Sequence, residues 1–185
     1  RFKIESRADI EKITEVPVVG DIPQTDTEGH PIVVQENRNG LMEEVFRSVR
    51  TNLQYMLGEG QKVILFTSTT SGEGKSFNAG NLACSFAFMG KKVVIVGLDI
   101  RKPGLNKVFE ISHKERGITQ YLADPKHTDL LSLCQPSAIS PNLFILPGGT
   151  VPPNPTELVA RKTLDEAIEQ LKQTFDYVLL DTAPI

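Results

Sequence analysis

The sequence contains no tryptophan, only two cysteines and only three histidines. Cys84 and Cys134 lie far apart and outside any CxxC motif, and His30, His113 and His127 show no metal-ligand spacing. Neither a disulfide framework nor a metal site built from cysteine and histidine is therefore indicated. The two cysteines are typical of reduced thiols in a cytosolic protein.

Positive charge is not in surplus, because 20 Lys and Arg stand against 23 Asp and Glu, for a formal net charge of −3. Non-specific nucleic-acid binding needs a basic surface, so no nucleic-acid partner is expected. No apolar run approaches the roughly 20 residues of a membrane helix. The start of the chain also lacks the apolar stretch of a secretory signal. Because the first residue is Arg1 and not Met, we expect the chain to be a fragment.

The 185 residues, of which 39% are hydrophobic, are enough for one domain. We interpret residues 1–40, which are rich in charges and prolines, as a linker or arm, and residues 41–185 as the domain. In the domain, helical apolar stripes alternate with short, continuous apolar runs that are typical of strands buried on both faces. The alternation predicts an α/β fold with a mainly parallel sheet flanked by helices. The predicted helices cover 41–57, 75–89, 117–122 and 129–134, with a further helix beginning at Asn154, and the predicted strands cover 63–66, 93–96, 143–146 and 177–180.

The segment 72–76, which reads GEGKS, lies directly between a predicted strand and a predicted helix. This context is typical of a phosphate-binding loop, in which glycines let backbone N–H groups turn towards phosphate oxygens and the helix N-terminus adds positive potential. Lys75 would supply charge to the outer phosphates, and the Ser76 hydroxyl would bind Mg²⁺. The strict motif has glycine five residues before Gly74, where this chain has Thr69.

Two acidic residues come shortly after predicted strands. Asp181 follows the apolar run 177–180, and Asp99 lies just beyond the run 93–96. Because ligands bind at the carboxyl ends of parallel strands, both carboxylates are candidates for holding Mg²⁺, and Asp99 is also a candidate proton acceptor. Arg101 could hold phosphate or an acidic partner. A surface salt bridge between Asp99 and a neighbouring base explains that part of the pattern equally well.

Two further sets of residues show no chemical pattern by themselves. Three charged residues of helix 41–57 cover about 120° of its surface away from the apolar stripe, which is typical of a solvated charged face. They are Glu44, Arg47 and Arg50. The tyrosines are dispersed and are predicted to be packing residues; they are Tyr55, Tyr121 and Tyr177.

Together these segments resemble the cytoplasmic catalytic domain of bacterial tyrosine kinases (BY-kinases), which are P-loop NTPases. The segment 72–76 resembles their Walker A motif, Asp99 with Arg101 resembles their Walker A′ motif, and the segment 178–184 resembles their Walker B motif. Related ATPases share these motifs. The discriminating feature is the E-x-x-R-x-x-R oligomerisation motif, which the chain matches at Glu44, Arg47 and Arg50.

The resemblance implies a role for each matching residue. Catalytic roles fall to Lys75, Asp99 and Asp181, and Mg²⁺ ligands to Ser76, Asp99 and Asp181. The residues implied to bind ATP are Ser71, Gly72, Glu73, Gly74, Lys75, Ser76, Phe77 and Arg101. Gly97 replaces the first aspartate of the Walker A′ motif, and losing a base near the acceptor hydroxyl costs on the order of 10²–10⁴ in rate. Asp99 is the candidate to take over.

The function that the resemblance implies is an ATP- and Mg²⁺-dependent protein-tyrosine autokinase that regulates capsular or exopolysaccharide synthesis and export. It implies a location at the cytoplasmic face of the bacterial inner membrane. The implied partners are a homo-oligomeric ring such as an octamer, the tyrosine-containing tail of a neighbouring subunit, a transmembrane chain-length-determinant region in the same or a partner chain, and a cognate phosphatase.

Residues 1–40 would then be a juxtamembrane arm, and residues 41–185 a P-loop kinase domain whose C-terminal part is missing. The sheet is accordingly expected to be incomplete. Two alternatives stay open. One is a partitioning-type ATPase switch, although such proteins commonly carry a second lysine near the start of the loop, where this chain has Ser68, Thr69 and Thr70. The other is a nucleotide-binding scaffold with impaired catalysis.

Overall fold

A computed structural model of the protein describes residues 3–151 and 161–185, except for the side chain of Arg161. The helices and strands within these ranges follow in chain order. They are α1 (Arg7–Glu11), α2 (Leu41–Met56), β1 (Val63–Phe66), α3 (Lys75–Phe88), β2 (Val93–Gly97), α4 (Gly104–Val108), α5 (Ile118–Ala123), a 3₁₀ turn (Leu131–Leu133), β3 (Gln135–Ser137), β4 (Ser140–Leu146), α6 (Arg161–Thr174) and β5 (Tyr177–Asp181).

The five described strands form one sheet in the order β1-β5-β2-β4-β3. All neighbouring strands are parallel except β3, which runs antiparallel to β4. The register pairs Asp181 at the end of β5 with Phe66 at the end of β1 and with Gly97 at the end of β2. The carboxyl ends of β1, β5 and β2 therefore lie side by side at one edge of the sheet, where the sequence predicts a ligand site.

Helices cover both faces of the sheet, which confirms the predicted fold class. Val93 and Ile95 of β2 pack on one face, in a core that includes α2 and α3. The alternate residues, Val94 and Val96, pack on the other face with α5 and α6. All four are completely buried, because a strand covered on both sides has no solvent face to fill with polar residues. Among the described residues, no helix has the length and apolar character to cross a membrane.

The segment before β4 differs from the prediction. The short helical piece predicted at 129–134 is confirmed only as a 3₁₀ turn at Leu131–Leu133, and the strand Gln135–Ser137 that follows it was not predicted. Pro136 has no N–H to donate, and it is tolerated because β3 lies at the edge of the described sheet. The predicted helix start at Asn154 lies outside the described residues.

The tyrosines divide into packed and exposed residues. Tyr121 is buried in the core, and the Tyr177 ring lies 4.3 Å from that of Phe86, centroid to centroid. Tyr55 is 87% exposed on α2, so the prediction that it is a packing residue is wrong. Tyr55 lies on the face of α2 that points away from the buried apolar stripe.

Part of the segment 1–40 is joined closely to the domain. The fully buried Asn81 of α3 accepts hydrogen bonds at Oδ1 from the backbone N of Val33 (2.8 Å) and of Val34 (3.4 Å). Its Nδ2 donates to the carbonyl oxygen of Pro31 at 2.9 Å. Val34 itself is only 3% exposed and belongs to the core. The segment 31–34 is thus held against the helix that follows the phosphate-binding loop, and the domain boundary at residue 40 stays a prediction.

Candidate active site

The loop 67–74 connects β1 to α3 and has the conformation that a phosphate-binding loop requires. Gly72 and Gly74 have φ values of 92° and 83°, a region in which residues with a side chain are strained. Gly74 caps α3, so the N-terminus of this 14-residue helix opens onto the loop. The backbone N–H groups at that end provide positive potential for an anion.

The Glu73 side chain stabilises the loop through hydrogen bonds to other loop residues. Its carboxylate accepts hydrogen bonds from the backbone N of Thr69 (3.0 Å), from Thr69 Oγ1 (2.7 Å) and from the backbone N of Thr70 (3.4 Å). The hydrogen bond from the Thr69 side chain is the largest cause that lowers the pKa of Glu73 below its ordinary value. Thr69, which departs from the strict motif, is thereby fixed by its own hydroxyl. The Glu73 side chain is engaged inside the loop, so any contact it makes with a nucleotide would come from its backbone.

The centre of the site is a polar cluster at the end of β5. Asp181 is 1% exposed, and its Oδ2 accepts a hydrogen bond from Ser76 Oγ at 2.7 Å. Its Oδ1 forms an ion pair with Nζ of Lys75, whose side chain is 9% exposed. The structure thus brings Asp181 together with two predicted site residues, Lys75 and Ser76, that lie more than a hundred positions before it in the chain.

Asp99 lies on the neighbouring strand end. The backbone N–H groups of Leu98 and Asp99 both donate to the carbonyl oxygen of Asp181, at 2.8 and 3.2 Å. The Asp99 carboxylate accepts a hydrogen bond from the backbone N of Lys102 at 3.1 Å. Asp99 lines the same cavity as Lys75, whereas the exposed Arg101 does not. The salt bridge considered for Asp99 is not among the described ion pairs, and its partner is a backbone amide.

Gly97 stands where the resemblance to BY-kinases implies an acidic residue, and the structure shows how little room a side chain would have there. A Cβ at this position would lie 3.1 Å from the backbone N of Gly148, in the loop that follows β4. An aspartate would therefore need a shift of a few tenths of an ångström in that backbone.

A cavity of about 470 Å³ opens beside this cluster. The phosphate-binding loop, with Ser71 and Phe77, forms one wall. The other wall is α4, which presents Gly104 and Lys107, followed by His113. Sequence reasoning missed these three residues, because α4 has five residues and its contact with the loop is purely tertiary. The spacing of Gly104, Lys107 and Val108 on one helix face is a signal only when the helix is known.

The oxygen atoms of the site fit Mg²⁺. Hydroxyl and carboxylate oxygens of Ser76, Asp99 and Asp181 are the donor type that this cation prefers. The described residues contain no cluster of three or more His, Cys, Asp and Glu that could hold a metal ion by themselves. That suits Mg²⁺, which usually binds through one or two carboxylates together with phosphates and water. Gly104 also leaves open the space beside Ser76 Oγ that a Cβ would fill.

The two arginines of α2, Arg47 and Arg50, have different environments. Arg47 forms an ion pair with Glu44 and donates from Nη2 to Asn39 Oδ1 at 3.3 Å. Arg50 instead donates from Nη1 to the carbonyl oxygen of Ser85 in α3 at 2.7 Å. Burial lowers the pKa of Arg50 from its ordinary value. The interpretation as one solvated face therefore holds for Glu44 and Arg47 but not for Arg50.

Comparison with known proteins places the chain in one family. Residues 61–185 match the AAA domain. Tyrosine-protein kinase CpsD of Streptococcus agalactiae is 37% identical over 144 residues, which are 77% of this chain and 61% of that protein. The chain therefore spans about 61% of the length of this curated relative.

Two solved structures are similar over almost the whole chain. The BceF tyrosine kinase domain has a TM-score of 0.83 and 30% identity, covering 98% of this chain and 77% of that one. The chimerical protein CapA2B2 has a TM-score of 0.85 and 28% identity, covering 97% of this chain and 76% of that one. The family model covers residues 61–185, and the tyrosine kinase relatives match most of the chain. The chain therefore belongs to the AAA-domain P-loop proteins and, among them, to the bacterial tyrosine kinases (BY-kinases).

Proposed function

We propose that the protein binds ATP with Mg²⁺ and transfers the γ-phosphoryl group to tyrosine hydroxyls. The observation that carries this proposal is the buried cluster in which Asp181 contacts both the lysine and the serine of the phosphate-binding loop. This arrangement puts a cation and two oxygen ligands at the mouth of the loop. The relatives, which are named tyrosine-protein kinases, supply the acceptor chemistry.

Each residue would have a separate task. The backbone amides of the loop and the N-terminus of α3 bind the phosphates. Lys75 leaves its partner Asp181 and neutralises charge that develops on the transferred group. When bound, Mg²⁺ supplies further charge neutralisation, held by Ser76 and Asp181 with Asp99. Asp99 is the candidate to accept the tyrosine proton, since Gly97 offers no carboxylate.

The direct test is incubation of the full-length protein with ATP and Mg²⁺, followed by detection of phosphotyrosine. We expect a signal that requires both ATP and Mg²⁺. Nucleotide binding measured by calorimetry on the same sample separates the alternatives. ATP hydrolysis without phosphotyrosine would favour the ATPase switch. Tight binding with neither hydrolysis nor phosphotyrosine would favour the scaffold, and absence of binding would overturn the proposal as a whole.

The physiological setting is proposed from the relatives. The protein would work at the cytoplasmic face of the inner membrane in capsular or exopolysaccharide synthesis and export. A transmembrane chain-length-determinant region, in the same or a partner chain, would recruit it there. Its acceptor would be the tyrosine-containing tail of a neighbouring subunit, and a cognate phosphatase would reverse the reaction.

The ring that brings tail and site together would be built on Glu44, Arg47 and Arg50. We expect the Arg47→Ala variant to have a lower native mass than the wild type with an unchanged free energy of unfolding, because Arg47 makes only exposed contacts within the chain. Arg50→Ala should lower both the native mass and the free energy of unfolding, since it removes the charged hydrogen bond to Ser85, worth about 1.5–3 kcal/mol. Native mass spectrometry and urea denaturation provide the measurements, and an unchanged mass in both variants would refute the ring.

A further inference from the structure

Gly104, the first residue of α4, packs directly against the serine of the phosphate-binding loop. A Cβ built on Gly104 would lie 2.2 Å from Ser76 Oγ and 2.8 Å from Ser76 Cβ. It would also lie 4.0 Å from Oδ2 of Asp181, the atom that accepts the Ser76 hydrogen bond. The close approach is therefore directed at the two oxygen atoms that would serve Mg²⁺.

The backbone conformation does not explain the glycine. Gly104 is absent from the residues with positive φ, unlike Gly72 and Gly74, so an alanine could adopt its backbone angles. Helix propensity does not favour glycine over alanine either. The remaining explanation for the glycine is steric, because even a single methyl group at this position overlaps Ser76.

We propose that Gly104 is a positioning residue for Mg²⁺: the absence of its side chain keeps the Ser76 hydroxyl in the orientation, and with the open space, that a cation needs. This inference rests on the proposed function, since it concerns the metal of the same nucleotide site. The hydroxyl can bind a cation only if nothing occupies the shell around it. Mg²⁺ lies about 2.0–2.1 Å from its oxygen ligands, so a side chain of residue 104 in contact with Ser76 Oγ would compete for the space around that ligand.

An alanine at position 104 gives the loop two ways to relieve the overlap, and both disturb the surroundings of the Ser76 hydroxyl. Ser76 can rotate away, in which case its hydrogen bond to Asp181 is lost and the hydroxyl turns from the cavity. Alternatively α4 can move outward, in which case the methyl group still lies beside the hydroxyl. Binding of the phosphates to backbone amides requires neither change, so binding of nucleotide without metal should survive.

The experiment compares the ATP affinity of the full-length protein by calorimetry in Mg²⁺ and in EDTA. In the wild type we expect Mg²⁺ to strengthen binding. The gain from Mg²⁺ is the ratio of the ATP affinity in Mg²⁺ to the ATP affinity in EDTA. In Gly104→Ala we expect this ratio to fall by about 10- to 100-fold, the range seen when residues that orient metal ligands are changed. Affinity in EDTA should stay within about twofold of the wild type, because the phosphate-binding amides are untouched. Ser76→Ala, which removes the hydroxyl itself, should show the same loss.

Gly80→Ala is the matched control. A Cβ at Gly80 would lie 2.7 Å from Cγ1 of Val108, so this variant disturbs the contact between α3 and α4 without approaching Ser76. We expect it to keep the gain from Mg²⁺. If Gly104→Ala keeps the gain as well, or if Gly80→Ala loses it equally, the inference about Gly104 is overturned while the nucleotide site stands. A wild type that binds no nucleotide in either buffer overturns the proposed function and the inference together.

Discussion

We expect the Lys75→Met variant to lose ATP-dependent tyrosine phosphorylation by at least about 100-fold, the effect of removing one preorganised group that stabilises transition-state charge. We also expect it to be less stable than the wild type by about 3 kcal/mol. The second effect follows from the ion pair with Asp181, which is 1% exposed. Methionine fills a similar volume but leaves the buried carboxylate without its counter-charge.

Urea denaturation of the variant in the absence of nucleotide gives the stability, and phosphotyrosine detection gives the activity. The sharper measurement is the double variant Lys75→Met with Asp181→Asn. Asparagine has no charge and can still accept a hydrogen bond from Ser76, so the double variant should regain at least about 2 kcal/mol over Lys75→Met. It should remain inactive, because Lys75 is still missing.

This pattern distinguishes a lost catalytic group from a misfolded protein. Equal instability of the single and double variants would show that the buried charge is not the cause of the instability. Full activity in Lys75→Met would contradict the role of the lysine in phosphoryl transfer. The inactive lysine variant is therefore informative only when its stability is measured beside its activity.

The second large effect concerns Asn81, which holds the segment 31–34 against α3. We expect Asn81→Leu to lower the free energy of unfolding by about 3 kcal/mol, since leucine keeps the volume but leaves the N–H of Val33 and the carbonyl of Pro31 without their partner. Each buried polar group left unsatisfied costs about 1–3 kcal/mol. Released from α3, the arm should also become a site of proteolysis around residues 24–40.

Asn52→Ala is the control for this prediction. Asn52 also binds the arm, through Nδ2 to the carbonyl oxygen of Val19 at 2.7 Å, but it is exposed, so water can replace the bond. Its loss should cost less than about 1 kcal/mol. Urea denaturation and limited proteolysis with mass spectrometry report on both variants. Equal effects of Asn52→Ala and Asn81→Leu would contradict a special role of the buried amide.

The Asn81 contacts bear on how the arm relates to the nucleotide site. Asn81 lies six residues after Lys75 on the same helix, and its Nδ2 also donates to the carbonyl oxygen of Phe77 at 2.9 Å. A single buried side chain thus joins the arm to the helix whose N-terminus faces the phosphates.

Short sequence patterns were sufficient to predict most strands, the phosphate-binding loop and the helix before it, because these elements depend on neighbouring residues. The apolar runs at β2 and β5 predict buried strands, because only strands covered on both faces lack a polar side. The same prediction for β1 is wrong, since this strand lies at the edge of the described sheet and its Leu65 is 59% exposed. The segment 72–76 between strand and helix predicts the phosphate-binding loop, because its glycines and lysine have few other uses in that context. The helix Leu41–Met56 likewise follows from its apolar stripe.

Tertiary structure alone decided which side chains share a neighbourhood. The pairing of Asp181 with Lys75 and Ser76 depends on the strand order β1-β5-β2, which no local pattern encodes. The different environments of Arg47 and Arg50 arise from the approach of α3, and the space at Gly104 arises from the approach of α4 to the loop. Periodicity and motif spacing describe contacts within one element, whereas burial and close approach between distant elements are properties of the packed chain.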